Sequence, residues 1–282
     1  MSALERADSS DRVGRVIVTR PAPDAQRWVA LLQQRGISAE ALPLIEIASV
    51  ADLSAARAAW AHLDKYAAVM FVSGNAVEHF FAARRSCAET SAQDLAALPH
   101  VRFMAPGPGT AQVLVAKGVP VAQIDTPPAD AAQFDSEALW QLIGQRNWEG
   151  LRVLIVRGQS CQHGVLDAAA GVVAPGREWL ARQLENAGAS VDFVVVYERR
   201  APRFTPAQFQ RIAASQRDGS VWLFSSSEAV AHLPQGADWA QARAIATHSR
   251  IAQAAQAAGW GVVIESRPAL TDIVASIELA SP

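Results

Sequence analysis

Only two of the 282 residues are cysteines, Cys87 and Cys161, and they stand in no CxxC or Cys/His spacing. That rules out a disulfide framework, and the plain expectation is two reduced cytosolic thiols. Charge of one sign is missing too: 25 Lys plus Arg face 27 Asp plus Glu. So even a balance offers no field to gather nucleic acid or an anionic membrane surface, and an anionic ligand has to be held by a local site. No uninterrupted apolar stretch approaches the roughly 18 residues of a membrane span. Met1 to Gly14 is polar and mixed in charge, without the apolar centre of an export signal. A cytoplasmic protein with a disordered tail over 1–12 is expected, with no nucleic-acid or membrane partner. The six histidines are scattered, with no HxxE or HExxH spacing. No metal and no cofactor are therefore expected.

What is present is a hydrophobic half of the chain and a length suited to about two domains. Apolar runs alternate with helix-spaced apolar residues from end to end. Val16-Ile17-Val18 reads as a buried parallel strand, and Trp28, Leu31 and Leu32 as the buried stripe of the helix that follows, ended by Gly36. A second strand is expected around Leu42 to Ile47, and further strands over Val101–Ala105, Val119–Ile124, Val191–Tyr197, Ala242–Ala246 and Val262–Glu265. Leu151–Val156 reads as a strand ending in Arg157-Gly158, with a loop or short helix from Gln159 to Pro175. Ser136 and Thr205 read as helix N-caps. Short connections and strict alternation predict an α/β fold on parallel sheets.

One stretch occurs twice. Phe71-Val72-Ser73-Gly74-Asn75-Ala76-Val77-Glu78-His79-Phe80 is echoed by Phe224-Ser225-Ser226-Ser227-Glu228-Ala229-Val230-Ala231-His232-Leu233. Each follows an apolar run and reads as strand, small polar turn and helix, which puts hydroxyls and free N–H groups at a helix N-terminus. The duplication is wider. Arg15–Arg20 pairs with Arg152–Arg157, Gly36 with Gly188, Pro43–Glu46 with Val195–Glu198, and Gly118 with Gly259. The second copy carries an insertion after Arg157. Two lobes of about five strands follow, but the repeat leaves two ways of combining the halves: in sequence, or with the middle of the chain as one lobe and the two ends as the other.

Each candidate site residue has a bland reading beside its functional one. Pro106-Gly107-Pro108-Gly109-Thr110 after a strand is neither GxGxxG nor a GK[ST] loop, so a tight turn with N–H groups facing a ligand is preferred to a nucleotide loop. Ser73-Gly74-Asn75 and Ser225-Ser226-Ser227 lack the GxSxG of a nucleophile elbow, which leaves ligand donors or plain helix caps. Arg20 and Arg157 end equivalent strands and would either pair a substrate carboxylate or form surface ion pairs. Tyr197 is either a proton donor or a half-buried strand-end aromatic. His79 and His232, at equivalent positions, favour a structural role.

Taken in order, Val16–Pro21, Phe71–Val77, Gly107-Pro108-Gly109-Thr110-Ala111, Arg157-Gly158, Val196-Tyr197 and Phe224-Ser225-Ser226 resemble the uroporphyrinogen-III synthase family across Arg15 to Glu278. The resemblance implies two similar flavodoxin- or Rossmann-like lobes with parallel sheets, joined by a two-stranded linker, with the active site in the cleft between them. It selects the second arrangement: 13–47 plus 204–282 as one lobe, 54–197 as the other, and 48–53 with 198–203 as hinge linkers. It implies a lyase that cyclises hydroxymethylbilane to uroporphyrinogen III, losing water and inverting ring D through a spiro intermediate, in tetrapyrrole (haem) biosynthesis. It makes hydroxymethylbilane the partner of an expected monomer. Arg20, Ser73, Gly74, Asn75, Gly107, Gly109, Thr110, Arg157, Gly158, Ser225, Ser226 and Ser227 would bind substrate, and Tyr197 would assist hydroxyl departure. One position departs from the family: its second Gly-Pro-x-Thr-Ala turn reads Ala246-Thr247-His248-Ser249-Arg250-Ile251-Ala252 here, with Ile251 in place of the threonine. The rival reading is a two-lobe small-anion binding protein.

Overall fold

The structure is a computed structural model, and it describes residues 14–85, 95, 98–128, 130–131, 133–162, 165–166 and 175–280. The expected tail over 1–12 and much of the insertion after Arg157 lie outside the described residues. In chain order the first half holds β1 (Val16–Val18), α1 (Ala22–Gln33), β2 (Ala39–Ala41), β3 (Glu46–Ser49), α2 (Ser54–Ala61), β4 (Ala68–Phe71), α3 (Gly74–Arg85), β5 (Arg102–Met104), α4 (Pro108–Ala116), β6 (Ile124–Asp125) and α5 (Ser136–Ile143). The second half holds β7 (Arg152–Gln162), β8 (Val165–Leu166), α6 (Pro175–Asn186), β9 (Ser190–Arg200), α7 (Pro206–Ser215), β10 (Val221–Phe224), α8 (Ser227–Ala231), β11 (Arg243–Ala246), α9 (Ser249–Ala257), β12 (Val262–Glu265) and α10 (Leu270–Ala280).

Two compact units emerge: the described parts of Met1–Glu46 with Ala201–Pro282, and Ile47–Arg200. The first is built on a five-stranded sheet in the order β12-β11-β10-β1-β2, parallel throughout. Counted within the unit this is 2-1-3-4-5, the flavodoxin-like order. The second unit's sheet runs β3-β9-β7-β4-β5-β6, with β8 antiparallel on β7. Its β9-β7-β4-β5-β6 core is parallel and repeats the same order, with β7 in the place of β1 and β4 in the place of β10. The duplicated sequence stretches therefore occupy matching strands.

The parallel strands are buried on both faces, which accounts for the continuous apolar runs of β1, β4 and β10. In the second unit one sheet face packs Leu154, Val156 and Phe71 against Trp60, Phe80 and Phe81, while the other packs Val153 and Ile155 against Leu139, Leu180 and Leu184. In the first unit Val16, Val18, Val221 and Leu223 pack against Trp28, Leu32, Ile273 and Ile277. Its opposite face holds an aromatic cluster of Trp222, Phe224, Trp239 and Trp260, the last two stacked at 4.6 Å.

Several expected boundaries are corrected. The strand placed around Leu42 to Ile47 is two strands in different sheets: β2 ends at Ala41, the Leu42 and Leu44 N–H groups still donate to the Val18 and Thr19 carbonyls, and β3 begins at Glu46 in the other sheet. The strand expected over Val119–Ile124 is reduced to Ile124–Asp125, after a 3₁₀ turn entered from Pro120. Asp135, one residue before Ser136, caps α5 through the Ala138 N–H. Thr205 caps α7 in a full capping box with Gln208. The strand thought to end at Arg157-Gly158 runs on to Gln162, and β9 runs past Tyr197 to Arg200, because the two strands keep pairing through Cys161 and Arg200. Residues 198–200, inside the expected two-stranded linker, are the end of β9.

Candidate active site

In the 2-1-3-4-5 order, ligands bind beyond the carboxyl ends of the strands where the winding reverses. In the second unit that point lies between β7 and β4. The Val72 N–H still donates to the Val156 carbonyl at 3.2 Å, and the chain then leaves the sheet at Ser73. Ser73 caps α3, its Oγ accepting from the Ala76 N–H at 3.2 Å. A stack of aromatic rings beneath fixes this helix. Trp60 lies 4.6 Å from Phe80 and donates its Nε1–H to the Phe80 carbonyl at 2.7 Å, and Phe71 meets Phe80 edge-on at 5.6 Å.

The same Ser73 Oγ lies 3.1 Å from the Tyr197 hydroxyl. A β-bulge makes this meeting possible. Arg157 pairs with Val195 but Gly158 with Tyr197, so Val196 is the extra residue and Tyr197 joins the face of Val194 and Val196. Gly158 then lies directly beneath the phenol ring, and a Cβ there would overlap it. His79, further along α3, places its ring 5.6 Å from Tyr197. Burial pushes the His79 imidazole below its ordinary value, with Glu78 opposing, so it is neutral at pH 7. Tyr197 is 2 % exposed, more buried than the half-buried aromatic expected. The structure thus brings Ser73, Gly158 and Tyr197 together and adds His79, which its sequence equivalence to His232 had marked as structural.

Other expected residues fall elsewhere. Arg157, by strand alternation, shares the opposite sheet face with Val153 and Ile155. Its guanidinium lies 5.0 Å over the Phe193 ring, and its buried Nε has no hydrogen-bond partner among the described residues. Burial pushes that guanidinium down from its ordinary value, Glu178 opposing and Arg199 adding. Arg157 therefore does not end a strand beside the Ser73 turn. Gly158 sits inside β7 as the floor under Tyr197 rather than at a loop facing ligand. Gly74 is small because α4 is close, a Cβ there coming 3.2 Å from Val113. Asn75 is half-buried in the first turn of α3. At the neighbouring turn Gly107 is buried, with Phe134 so near that a Cβ would lie at 2.8 Å. Gly109 is exposed, and Thr110 is buried in the first turn of α4.

In the first unit the reversal lies between β1 and β10. Thr19 crosses it, donating its hydroxyl to the Leu223 carbonyl at 2.8 Å. Arg20 takes the ion-pair reading: it bonds Asp24 at 2.9 Å and lies 4.7 Å over Trp28. Its buried Nε has no partner among the described residues. Ser226 is the N-cap of α8 but makes no side-chain cap bond, and Ser225 and Ser227 flank it half-buried and exposed. His232 is fixed by a 2.7 Å bond between Nδ1 and the Leu44 carbonyl. At the α9 turn, His248 caps through Nδ1, accepting from the Arg250 N–H at 3.2 Å. Ile251, in place of the expected threonine, is as buried as Thr110 at the matching position of α4, so both sites favour a side chain that packs.

The sequence profile described as "Uroporphyrinogen-III synthase HemD" matches residues 26–275, nearly the whole chain. The chain belongs to the uroporphyrinogen-III synthase family. A curated relative named uroporphyrinogen-III synthase, from Chlorobaculum parvum, is 32% identical over 143 residues. That match covers 51% of this chain and 52% of the relative, so the chain spans about half the length of the curated relative it matches. Crystal structures of family members share the fold. A mutant uroporphyrinogen III synthase from Thermus thermophilus aligns with a TM-score of 0.55 at 16% identity, covering 95% of this chain and 98% of the other. The uroporphyrinogen-III synthetase from Helicobacter pylori aligns with a TM-score of 0.51 at 14% identity, covering 94% and 99%. The expected α/β family fold on parallel sheets is confirmed at that level.

Proposed function

We propose that the chain is a uroporphyrinogen-III synthase, a lyase that converts hydroxymethylbilane into uroporphyrinogen III with loss of water and inversion of ring D. The family match over residues 26–275 carries this reading. It gives no support to the small-anion binding alternative. The chemistry suits the site. The substrate is a flexible polycarboxylate, and the turns at the carboxyl ends of both sheets carry N–H groups and hydroxyls, the donors that grip carboxylates. The pyrrole nitrogen itself drives hydroxyl departure, so the protein need only assist it. The larger task is orientation: holding the linear tetrapyrrole so that the substituted end carbon attacks, giving a spiro intermediate. In this reading the Ser73–Tyr197 hydroxyl pair helps the hydroxyl leave, and Asn75, Gly109 and Ser225 to Ser227 hold carboxylates; Arg20 would join them only by giving up its pair with Asp24. The enzyme acts in the cytoplasm, as a monomer and without a cofactor. Among the described residues no helix is long and apolar enough to cross a membrane.

The decisive experiment supplies hydroxymethylbilane to the purified chain and separates the product isomers. Uroporphyrinogen III is expected. Formation of isomer I alone, the spontaneous product, would refute the assignment.

A further inference from the structure

We propose that Ser73 is the hydroxyl that contacts the substrate's departing oxygen, and that Tyr197 is the buried positioning residue that aims it. The inference rests on the function proposed above and assigns the two halves of the hydroxyl pair.

Proton counting supplies the argument. A serine hydroxyl has one proton to give and two lone pairs to fill. The Ala76 N–H fills one lone pair, at 3.2 Å. The Tyr197 hydroxyl, at 3.1 Å, either fills the second or takes the serine proton. Burial decides between these. Tyr197 is 2 % exposed, with Gly158 under its ring and His79 beside it. A phenol that kept its proton for the substrate would have to present it at a surface the residue scarcely reaches. Left ungiven inside the protein, that proton would forfeit its solvation with nothing in return. Donation to Ser73 satisfies it. Both lone pairs of Ser73 are then occupied, and its own O–H is left pointing away from Ala76 and Tyr197. Ser73 is half-buried and stands at the carboxyl end of β4, at the reversal point of the sheet.

The step balances without a proton leaving the protein. The C–O bond breaks with its electron pair on oxygen, the pyrrole nitrogen supplies the electrons for the new exocyclic double bond, and the nitrogen's proton completes the departing water. Ser73 donates a hydrogen bond to the oxygen as charge builds on it, and Tyr197 holds that donor in one rotamer.

Four full-length proteins test this: Ser73→Ala, Ser73→Thr, Tyr197→Phe and the double variant Ser73→Ala/Tyr197→Phe. A donor to the leaving group acts on kcat, whereas a carboxylate grip acts on KM. Ser73→Ala is expected to lower kcat about tenfold with KM within about twofold, a modest version of losing one transition-state donor. Ser73→Thr, which keeps the hydroxyl, should restore most of the rate. Tyr197→Phe should cost less, about threefold, and the double variant should be no slower than Ser73→Ala, since the phenol acts only through the serine. Three results overturn the proposal: Tyr197→Phe costing as much as Ser73→Ala or more, the two losses multiplying in the double variant, or Ser73→Ala raising KM alone. Tyr197→Phe keeps the Ser73 cap and serves if Ser73→Ala does not fold; a loss beyond about a hundredfold in it overturns the assignment by itself. A wild-type chain that forms isomer III while Ser73→Ala keeps its kcat refutes this inference alone. A wild-type chain that forms only isomer I refutes the function beneath it.

Discussion

The Ser73 turn and the Ser226 turn have nearly the same sequence and matching places in their sheets, yet they have become different devices. Behind Ser73 stands a helix of 12 residues, whose Phe80 is packed from below by Trp60 and Phe71. Behind Ser226 stands a helix of 5 residues. A short helix sums few peptide dipoles and offers little pull on an anion. Ser73 uses its hydroxyl twice, on Ala76 and on Tyr197. Ser226 makes no side-chain cap bond. The sequence repeat predicts two equivalent turns. The turns themselves are a rigid, fully wired copy and a looser one. Duplication copied the scaffold, and what surrounds each copy set its chemistry.

The difference extends to the sheet edges, where it is largest in energy. Arg102 of β5 and Arg243 of β11 hold matching places in their sheets, but their partners differ. Arg102 joins Arg146 on the carboxylate of Asp125, whereas Arg243 donates to the Ala280 carbonyl at 3.0 Å. By register, Ile264 of β12 takes the place of Asp125. Burial alone would raise the Asp125 carboxyl, but the hydrogen bonds and charges of Arg146 and Arg102 outweigh it and hold the group below the usual carboxylate range. Asp125→Asn leaves two guanidinium groups without their counter-charge. The expected loss is about 2–3 kcal/mol, short of a fully buried pair because both arginines are partly exposed. Ile264→Val in the other unit should cost about 0.5–1.5 kcal/mol. Hydrogen exchange measures each unit separately. Equal losses in the two units would break the contrast. The acid limb carries a sign as well. A folded value below the unfolded one gives stability that is present above the unfolded carboxylate range and lost as pH falls through the folded value. Asp125→Asn should flatten that limb.

A smaller effect tests the turns themselves. Ser73→Ala removes a helix cap and leaves the Tyr197 hydroxyl without its partner, a loss of about 1–2 kcal/mol. Ser226→Ala removes no side-chain cap bond and should stay within about 0.5 kcal/mol. Hydrogen exchange in α3 and α8 gives the comparison directly, and a loss at Ser226 as large as that at Ser73 would show that the two turns are wired alike after all.

Much of this was legible in the sequence, for identifiable reasons. Continuous apolar runs mark strands buried on both faces, and the duplicated turn marks the carboxyl ends of β4 and β10. What could not be read depended on contacts between distant positions. The bulge that turns Tyr197 toward Ser73 is set by how β7 and β9 pair, and no local pattern encodes it. Arg157 and Gly158 are adjacent, so the alternation of a strand sends them to opposite faces, which is invisible if the strand is thought to stop there. The Arg20–Asp24 pair was available from its i, i+4 spacing, as one of the two readings given to that arginine. The equivalence of His79 and His232 in sequence conceals different partners, the Tyr197 ring for one and the Leu44 carbonyl for the other.

Those two histidines provide the finest test of the comparison. His232 bonds the Leu44 carbonyl through Nδ1, and since a carbonyl can only accept, Nδ1 carries the proton there. Replacing it with Gln should cost about 1 kcal/mol, the net worth of one hydrogen bond. His79 instead packs on Tyr197, and burial holds its imidazole below the ordinary value of 6.5. On acidification the unfolded chain takes up a proton before the folded one does, so the His79 contribution is present above the unfolded value and is lost as pH falls through the folded value. Stability measured between about pH 8 and pH 5 should therefore fall less steeply in His79→Gln than in the wild type. An unchanged slope would mean that His79 titrates freely in the folded protein, and that the packing around Tyr197 is looser than the 5.6 Å ring contact implies.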